Sequence, residues 1–112
     1  MFSSIKEIDA PELARRLGER ADDLHVIDVR HFGEIATGTV PGATALPLHT
    51  LPLNLDQLDR GKDLVLVCRS GARSAQACHF LQQRGFANVY NLRGGMMGWA
   101  QSGLPAEAPP VA

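Results

Sequence analysis

A chain of 112 residues is long enough for one well-buried core and too short for two. Its apolar share of 45% is ordinary for a globular domain, and a net charge of −1 supplies no field to recruit nucleic acid or an acidic membrane. There is no basic block, no apolar run of roughly 18 residues, and no signal-peptide character in Met1–Asp9, so a soluble cytoplasmic chain is expected.

The first helix announces itself at Asp9, a capping residue followed by Pro11 in the first turn and Glu12 at the place of a capping box. Ala10, Leu13, Ala14 and Leu17 recur at helical spacing, and Gly18 offers a left-handed stop. Ile5 and the residues before it read as a short edge strand. Leu24–Val29 is a branched apolar run of the kind that forms a buried strand. His31–Gly38 predicts a turn and a short helix, and Val40-Pro41-Gly42-Ala43 a turn leading into a brief strand over Ala43–Leu46.

Leu51–Leu58 reads as short helical or irregular structure, with Pro52 near its start. Leu64–Val67 is the clearest strand, and it ends abruptly in Cys68-Arg69-Ser70-Gly71-Ala72-Arg73-Ser74. A helix over Ser74–Arg84 follows, with Ala77, Cys78 and Leu81 inward, Ser74 as its cap and Gly85 as its stop. Asn88–Leu92 predicts a last strand, and Gly94-Gly95 opens a final helical turn. Strands alternating with helices argue for an α/β domain over residues 1–104, a mostly parallel sheet of about five short strands with helices on both faces. Residues 105–112, rich in Pro and Ala, read as a loosely attached tail.

The chemistry is expected where the strand ending at Val67 turns into the next helix. Parallel sheets place their sites at the carboxyl ends of strands, and a loop entering a helix there aims backbone N–H groups and a positive dipole at one point. Gly71 lets the loop curl, and Arg69 and Arg73 add charge. A cysteine at that focus should ionise well below the free-thiol value of about 8.5. Cys68 is therefore the candidate nucleophile, and Arg69, Ser70, Gly71, Ala72 and Arg73 the candidate substrate cradle.

Four segments in order resemble the rhodanese family across nearly the whole chain. They are Ile27-Asp28-Val29-Arg30 with Glu34, Gly38-Thr39-Val40-Pro41-Gly42-Ala43, the Cys68–Arg73 loop, and Leu92-Arg93-Gly94-Gly95-Met96-Met97-Gly98-Trp99. Thr39 stands where that family usually has histidine. The resemblance implies a single rhodanese-like domain and a two-step sulfur transfer. Cys68 would take a sulfane sulfur from thiosulfate or a related small anionic donor as a persulfide, then pass it to cyanide, a thiol or a protein. Arg73, with Arg69, would hold the donor's sulfonate, and no metal or organic cofactor is implied.

Asp28 and Arg30 are expected to support the site, Arg30 by pairing with Glu34 and Asp28 by fixing loop backbone. Cys78 reads as core in preference to a resolving thiol. The histidines His25, His31, His49 and His79 show no ligand spacing. Met96, Met97 and Trp99 read as a plug at one end of the core, or as an apolar lip for a partner protein. Three rival functions stay open: a dedicated persulfide carrier between proteins, a non-catalytic regulatory module and a cysteine-dependent phosphatase. The last places five residues between cysteine and arginine, against four here.

Overall fold

The computed structural model describes residues 5–109. Five parallel strands form one sheet: β1 (Lys6–Ile8), β2 (Leu24–Asp28), β3 (Thr44–Ala45), β4 (Asp63–Val67) and β5 (Val89–Leu92). Among the described residues four α-helices accompany them, besides short 3-10 turns: α1 (Ala10–Arg20), α2 (Phe32–Ile35), α3 (Ala72–Gln83) and α4 (Gly95–Gln101). The strand order is β1-β5-β4-β2-β3, so β1 is an edge strand, but it starts after Ile5, where Ile5 and the residues before it were expected to form it; the residues before Ile5 lie outside the described residues. No helix among the described residues is long and apolar enough to cross a membrane.

The period of two in β4 sorts its side chains into two layers. Leu64, Leu66 and then Cys68 point to the face covered by α3, joining Ala77, Cys78 and Leu81. Val65 and Val67 point to the opposite face, where Leu13 of α1 and Trp99 of α4 pack. Burying each such side chain fully contributes roughly 1.5–3 kcal/mol. The same alternation carries Cys68 one step past the strand and sets its sulfur beneath the start of α3.

The chain leaves β2 toward β3 on one side and leaves β4 toward β5 on the other. The carboxyl ends of β2 and β4, in register at Asp28 and Val67, therefore flank the point at which the strand order reverses. Both the Asp28–Arg30 segment and the cysteine loop emerge there.

Three local signals are overridden, one by a neighbour on the same helix and two with the help of long-range contacts. Helix α1 runs through Gly18 to Arg20 instead of stopping. Ion pairs from Arg15 to Glu12 and Glu19, and from Arg16 to Asp63 at 2.8 Å, hold its last turns against a glycine cost of about 1 kcal/mol. Asp9 does cap Glu12 N–H at 2.9 Å, but the Glu12 carboxylate turns to Arg15 and no reciprocal box forms. The described part of the tail is stitched down, since Thr39 and Glu107 exchange backbone hydrogen bonds and Trp99 Nε1 donates to Pro105 O at 2.8 Å. Pro110–Ala112 lie outside the described residues.

Candidate active site

The loop after β4 is folded from both sides. Cys68 O and Arg69 O accept hydrogen bonds from Met96 N and Met97 N, at 2.9 and 3.0 Å, in the opening turn of α4. The loop's carbonyls thus face α4, and its amides are left to face inward. Gly95 makes the contact possible, because a Cβ there would lie 2.5 Å from both carbonyl oxygens. Gly71, at φ +105°, then turns the chain into α3.

Cys68 is 1% exposed, and its Sγ accepts from Gly71 N at 3.0 Å and lies 3.3 Å from Ser74 Oγ. Burial pushes the thiol pKa up. Hydrogen bonds from the Ser74 hydroxyl and from the amides of Ser74, Gly71 and Ser70 more than offset that, so the net shift is downward. The lowering is carried by hydrogen bonds. The Arg73 guanidinium is bound by Glu34 and still feels the charge of Cys68, but it is not among the main causes of the lowering.

Arg73 is bound forkwise by Glu34 of α2, at 2.7 and 2.9 Å. That hydrogen-bonded pair holds Glu34 down at about 2, against the smaller opposing effect of burial. Arg73 thus latches α3 to α2, and its fork is committed to Glu34 where sequence expectation had it on a donor sulfonate. The expected Arg30–Glu34 pair is absent for the same reason. Arg30 bonds Asp28 at 2.7 Å and Gly38 O at 2.7 Å, and both members of that pair are buried. Asp28 also accepts Arg30 N at 3.0 Å, so it does fix loop backbone, and it takes the Thr39 hydroxyl at 2.7 Å.

Thr39 is thereby a working part of the buried pair, at 2% exposure. Thr39→Val should cost about 1–3 kcal/mol by leaving an Asp28 oxygen short of a donor. A melting curve with a Tm equal to wild type would refute this.

Ser74 does not cap α3. The helix begins at Ala72 with Gly71 at the cap position, and Ser74 is buried one turn in. Its hydroxyl also approaches Asn91 Oδ1 of β5, at 2.5 Å. Asn91 and Gly95 are the site residues that sequence reasoning passed over. The signal for Asn91 was a lone amide inside an apolar strand; for Gly95 it was the second glycine of a pair, where one would serve a simple turn.

Beside the loop lies an open depression of about 550 Å³. Arg30, Gly33, Glu34 and Thr37 line it from the β2 side, with Arg69, Met96, Met97 and Ala100 opposite. Arg69 is exposed and, among the described residues, has no carboxylate partner. Ser70 and Ala72 form the exposed rim of the loop. Trp99 and Met96 pack into the core as expected, whereas Met97 is 46% exposed at the mouth.

Cys78 is fully buried, and burial, helped by the charge of Glu7, pushes its thiol up to about 12. It packs in the α3-side core as a silent thiol. Among the described residues no group of three or more His, Cys, Asp or Glu is placed to hold a metal ion.

Comparisons with known proteins agree with this layout. The model of the rhodanese-like domain matches residues 9–102. A sulfurtransferase of Allochromatium vinosum is 45% identical over 105 residues, covering 94% of this chain and 97% of its own. The thiosulfate sulfurtransferase GlpE of Pseudomonas aeruginosa is 35% identical over 98 residues, 88% of this chain and 86% of its own. A rhodanese-like domain protein from Staphylococcus aureus superposes with a TM-score of 0.83 at 31% identity, over 95% of this chain and all of the other. By sequence over most of its length, and by a five-stranded parallel sheet with a cysteine loop at its switch point, the chain belongs to the family of rhodanese-like domains.

Proposed function

We propose that this protein is a sulfurtransferase that carries a sulfane sulfur on Cys68. The observation that supports it most directly is the hydrogen-bonded setting of Cys68 Sγ, which favours the anion in spite of near-complete burial. The Cys68 thiolate attacks the outer sulfur of thiosulfate. A Cys68–sulfur bond forms as the donor's sulfur–sulfur bond breaks, and the electron pair of that bond leaves with sulfite. An acceptor such as cyanide or a thiolate then attacks the outer sulfur of the persulfide, and Cys68 departs as the thiolate it was. Electrons balance without an outside oxidant. The reaction is covalent catalysis split into two displacements, with preset donors around the charge.

The depth of Cys68 favours this reading over phosphoryl chemistry. The side chain is 1% exposed behind a loop whose exposed residues are Arg69, Ser70 and Ala72, and a single terminal sulfur is a smaller group to bring to it than a phosphoryl. The four-residue spacing from Cys68 to Arg73 makes a tighter ring than the five-residue phosphatase loop.

With Arg73 held by Glu34, Arg69 is the guanidinium left to meet the anionic end of a donor. Arg69→Ala should raise the KM for thiosulfate roughly tenfold, the loss of one charge-assisted contact, with little change in melting temperature. Arg73→Ala should instead lower stability by about 1 kcal/mol, a figure discounted for its part exposure, and affect anionic and neutral donors alike. A donor-selective defect in Arg73→Ala with a silent Arg69→Ala would reverse these assignments.

A second reading, a carrier charged by another protein, draws on the apolar wall of Met96, half-exposed Met97 and Ala100 beside the mouth. Mass spectrometry decides between them. The protein is incubated with thiosulfate, or with a persulfidated protein, and the gain of one sulfur on Cys68 is followed. Charging by thiosulfate within seconds supports the first reading; charging by the protein donor alone supports the carrier. No gain on Cys68 with any donor would overturn both.

A further inference from the structure

The Ser74 hydroxyl faces two acceptors and owns one proton. Asn91 Oδ1 lies 2.5 Å from Ser74 Oγ, and Cys68 Sγ lies 3.3 Å from it. All three side chains are buried, so no bulk water relieves the competition. The Asn91 amide cannot turn to become a donor to Ser74. Its Nδ2 is occupied by Gly71 O at 3.1 Å and Glu7 Oε2 at 3.2 Å, and a flipped amide would set oxygen against both.

We propose that Ser74 is a hydroxyl switch shared by Cys68 and Asn91, and that Asn91 acts through it as a positioning residue for the nucleophile. The inference rests on Cys68 being the sulfur-carrying residue. When Cys68 is a neutral thiol, the Ser74 proton points to Asn91 Oδ1, and the thiol proton has Ser74 Oγ as its acceptor. When Cys68 is a thiolate, the Ser74 proton turns to Sγ and its bond to Asn91 is given up. In the persulfide the charge sits one atom further out, Cys68 Sγ is neutral, and the proton returns to Asn91.

Ser74 therefore stabilises charge only while it lies on Cys68's own sulfur, as attacking group in the first displacement and as leaving group in the second. Asn91 tempers that stabilisation. An over-stabilised thiolate is a poorer nucleophile, since nucleophilicity falls with thiol pKa. The competition keeps Cys68 ionisable without making it inert.

Arg69, the residue after Cys68, is exposed without a carboxylate partner among the described residues and is unchanged in every arm of the test, while the other charged groups around the site are engaged. Glu7 of β1 reaches Asn91 and pairs with Arg93 at 3.3 Å, Arg73 of α3 is bound by Glu34 of α2, and Asp28 is bound by Arg30 at the end of β2. None of these residues is substituted in the test; Asn91→Leu takes one hydrogen bond from Glu7, but it does so in both backgrounds and cancels in the cycle.

The test is a double-mutant cycle on the ionisation of Cys68, read by thiolate absorbance and by alkylation rate against pH. Cys78, held at about 12, is silent in this range. Ser74→Ala is expected to raise the Cys68 midpoint. Asn91→Leu, which removes the competing acceptor at similar size, should lower it by roughly half to one pH unit. In the Ser74→Ala background the same Asn91→Leu change should not lower it. A merely structural role through Gly71 O would shift both backgrounds equally, and that result overturns the proposal.

Should Asn91→Leu fail to fold, NMR on the wild-type protein serves instead. The Asn91 side-chain carbonyl carbon should titrate with the Cys68 midpoint and lose that titration in Ser74→Ala. Its persistence there, or its absence in wild type, refutes the switch. Failure of the sulfur-transfer reading shows separately, as the lack of a sulfur gain on Cys68.

Discussion

Replacing Cys68 by serine is expected to abolish sulfur transfer, a loss of roughly 10³-fold or more as for other removed nucleophiles, while leaving the fold in place. Two properties of one side chain are at work. As a packing element Cys68 is a small buried group whose Sγ accepts from Gly71 N and neighbours Ser74 Oγ. A serine oxygen satisfies the same partners, so the melting temperature should move by no more than about 1–2 kcal/mol would produce. As a chemical element the sulfur is irreplaceable. A hydroxyl ionises too weakly for the loop amides to make it an anion near neutral pH, and it offers no polarizable sulfur to hold a second one. Mass spectrometry after thiosulfate should show no added sulfur, and thiosulfate:cyanide transfer should be at background. Wild-type-like transfer in this variant would remove the basis of the proposed mechanism.

Gly95→Ala carries the second large effect, and it acts on the loop from outside. A Cβ at this position would stand 2.5 Å from Cys68 O and from Arg69 O, with φ at +56°. The left-handed backbone costs a non-glycine residue about 1–2 kcal/mol, and forcing apart a packed contact costs about 1–3 more. The expected destabilisation is thus roughly 2–5 kcal/mol. Relief comes only by pulling α4 off the loop, which breaks the bonds from Met96 N and Met97 N. The loop carbonyls are then free to turn and the amides around Sγ lose their aim, so the Cys68 midpoint should rise toward the free-thiol value. Gly42→Ala is the control. Gly42 also has positive φ, at +82°, but nothing lies within 4 Å of its would-be Cβ. It should show the backbone cost alone and leave the Cys68 titration unmoved. Equal effects from the two substitutions would show that the contact of α4 with the loop does not matter.

Much of the architecture was legible in local patterns. The run from Leu64 to Val67 marked the central strand, and the step from its end into Cys68–Ser74 marked the loop that bears the chemistry. Turn chemistry located Gly71 and Gly85, both of which adopt positive φ. Local signals misled where a long-range partner outbid them. Gly18 looked like a helix stop but was carried through by ion pairs, one of them reaching 47 residues along the chain to Asp63. Ser74 looked like a cap, but a buried hydroxyl beside two acceptors serves the site better than an exposed one at the helix end.

The sequence by itself determined the succession of strands and helices along the chain, the covering of the sheet on both faces and the cysteine at the mouth of a helix. All of these follow from periodicity and turn residues, which act over a few positions of chain. Only the tertiary structure decided which charges meet. Arg73 joins Glu34 across 39 residues, Arg30 turns back to Asp28, and Ser74 stands between Cys68 and Asn91. The reason is physical: ion pairs and hydrogen bonds depend on ångström distances between segments that the sheet brings side by side, and the choice among several nearby carboxylates leaves no mark on local spacing.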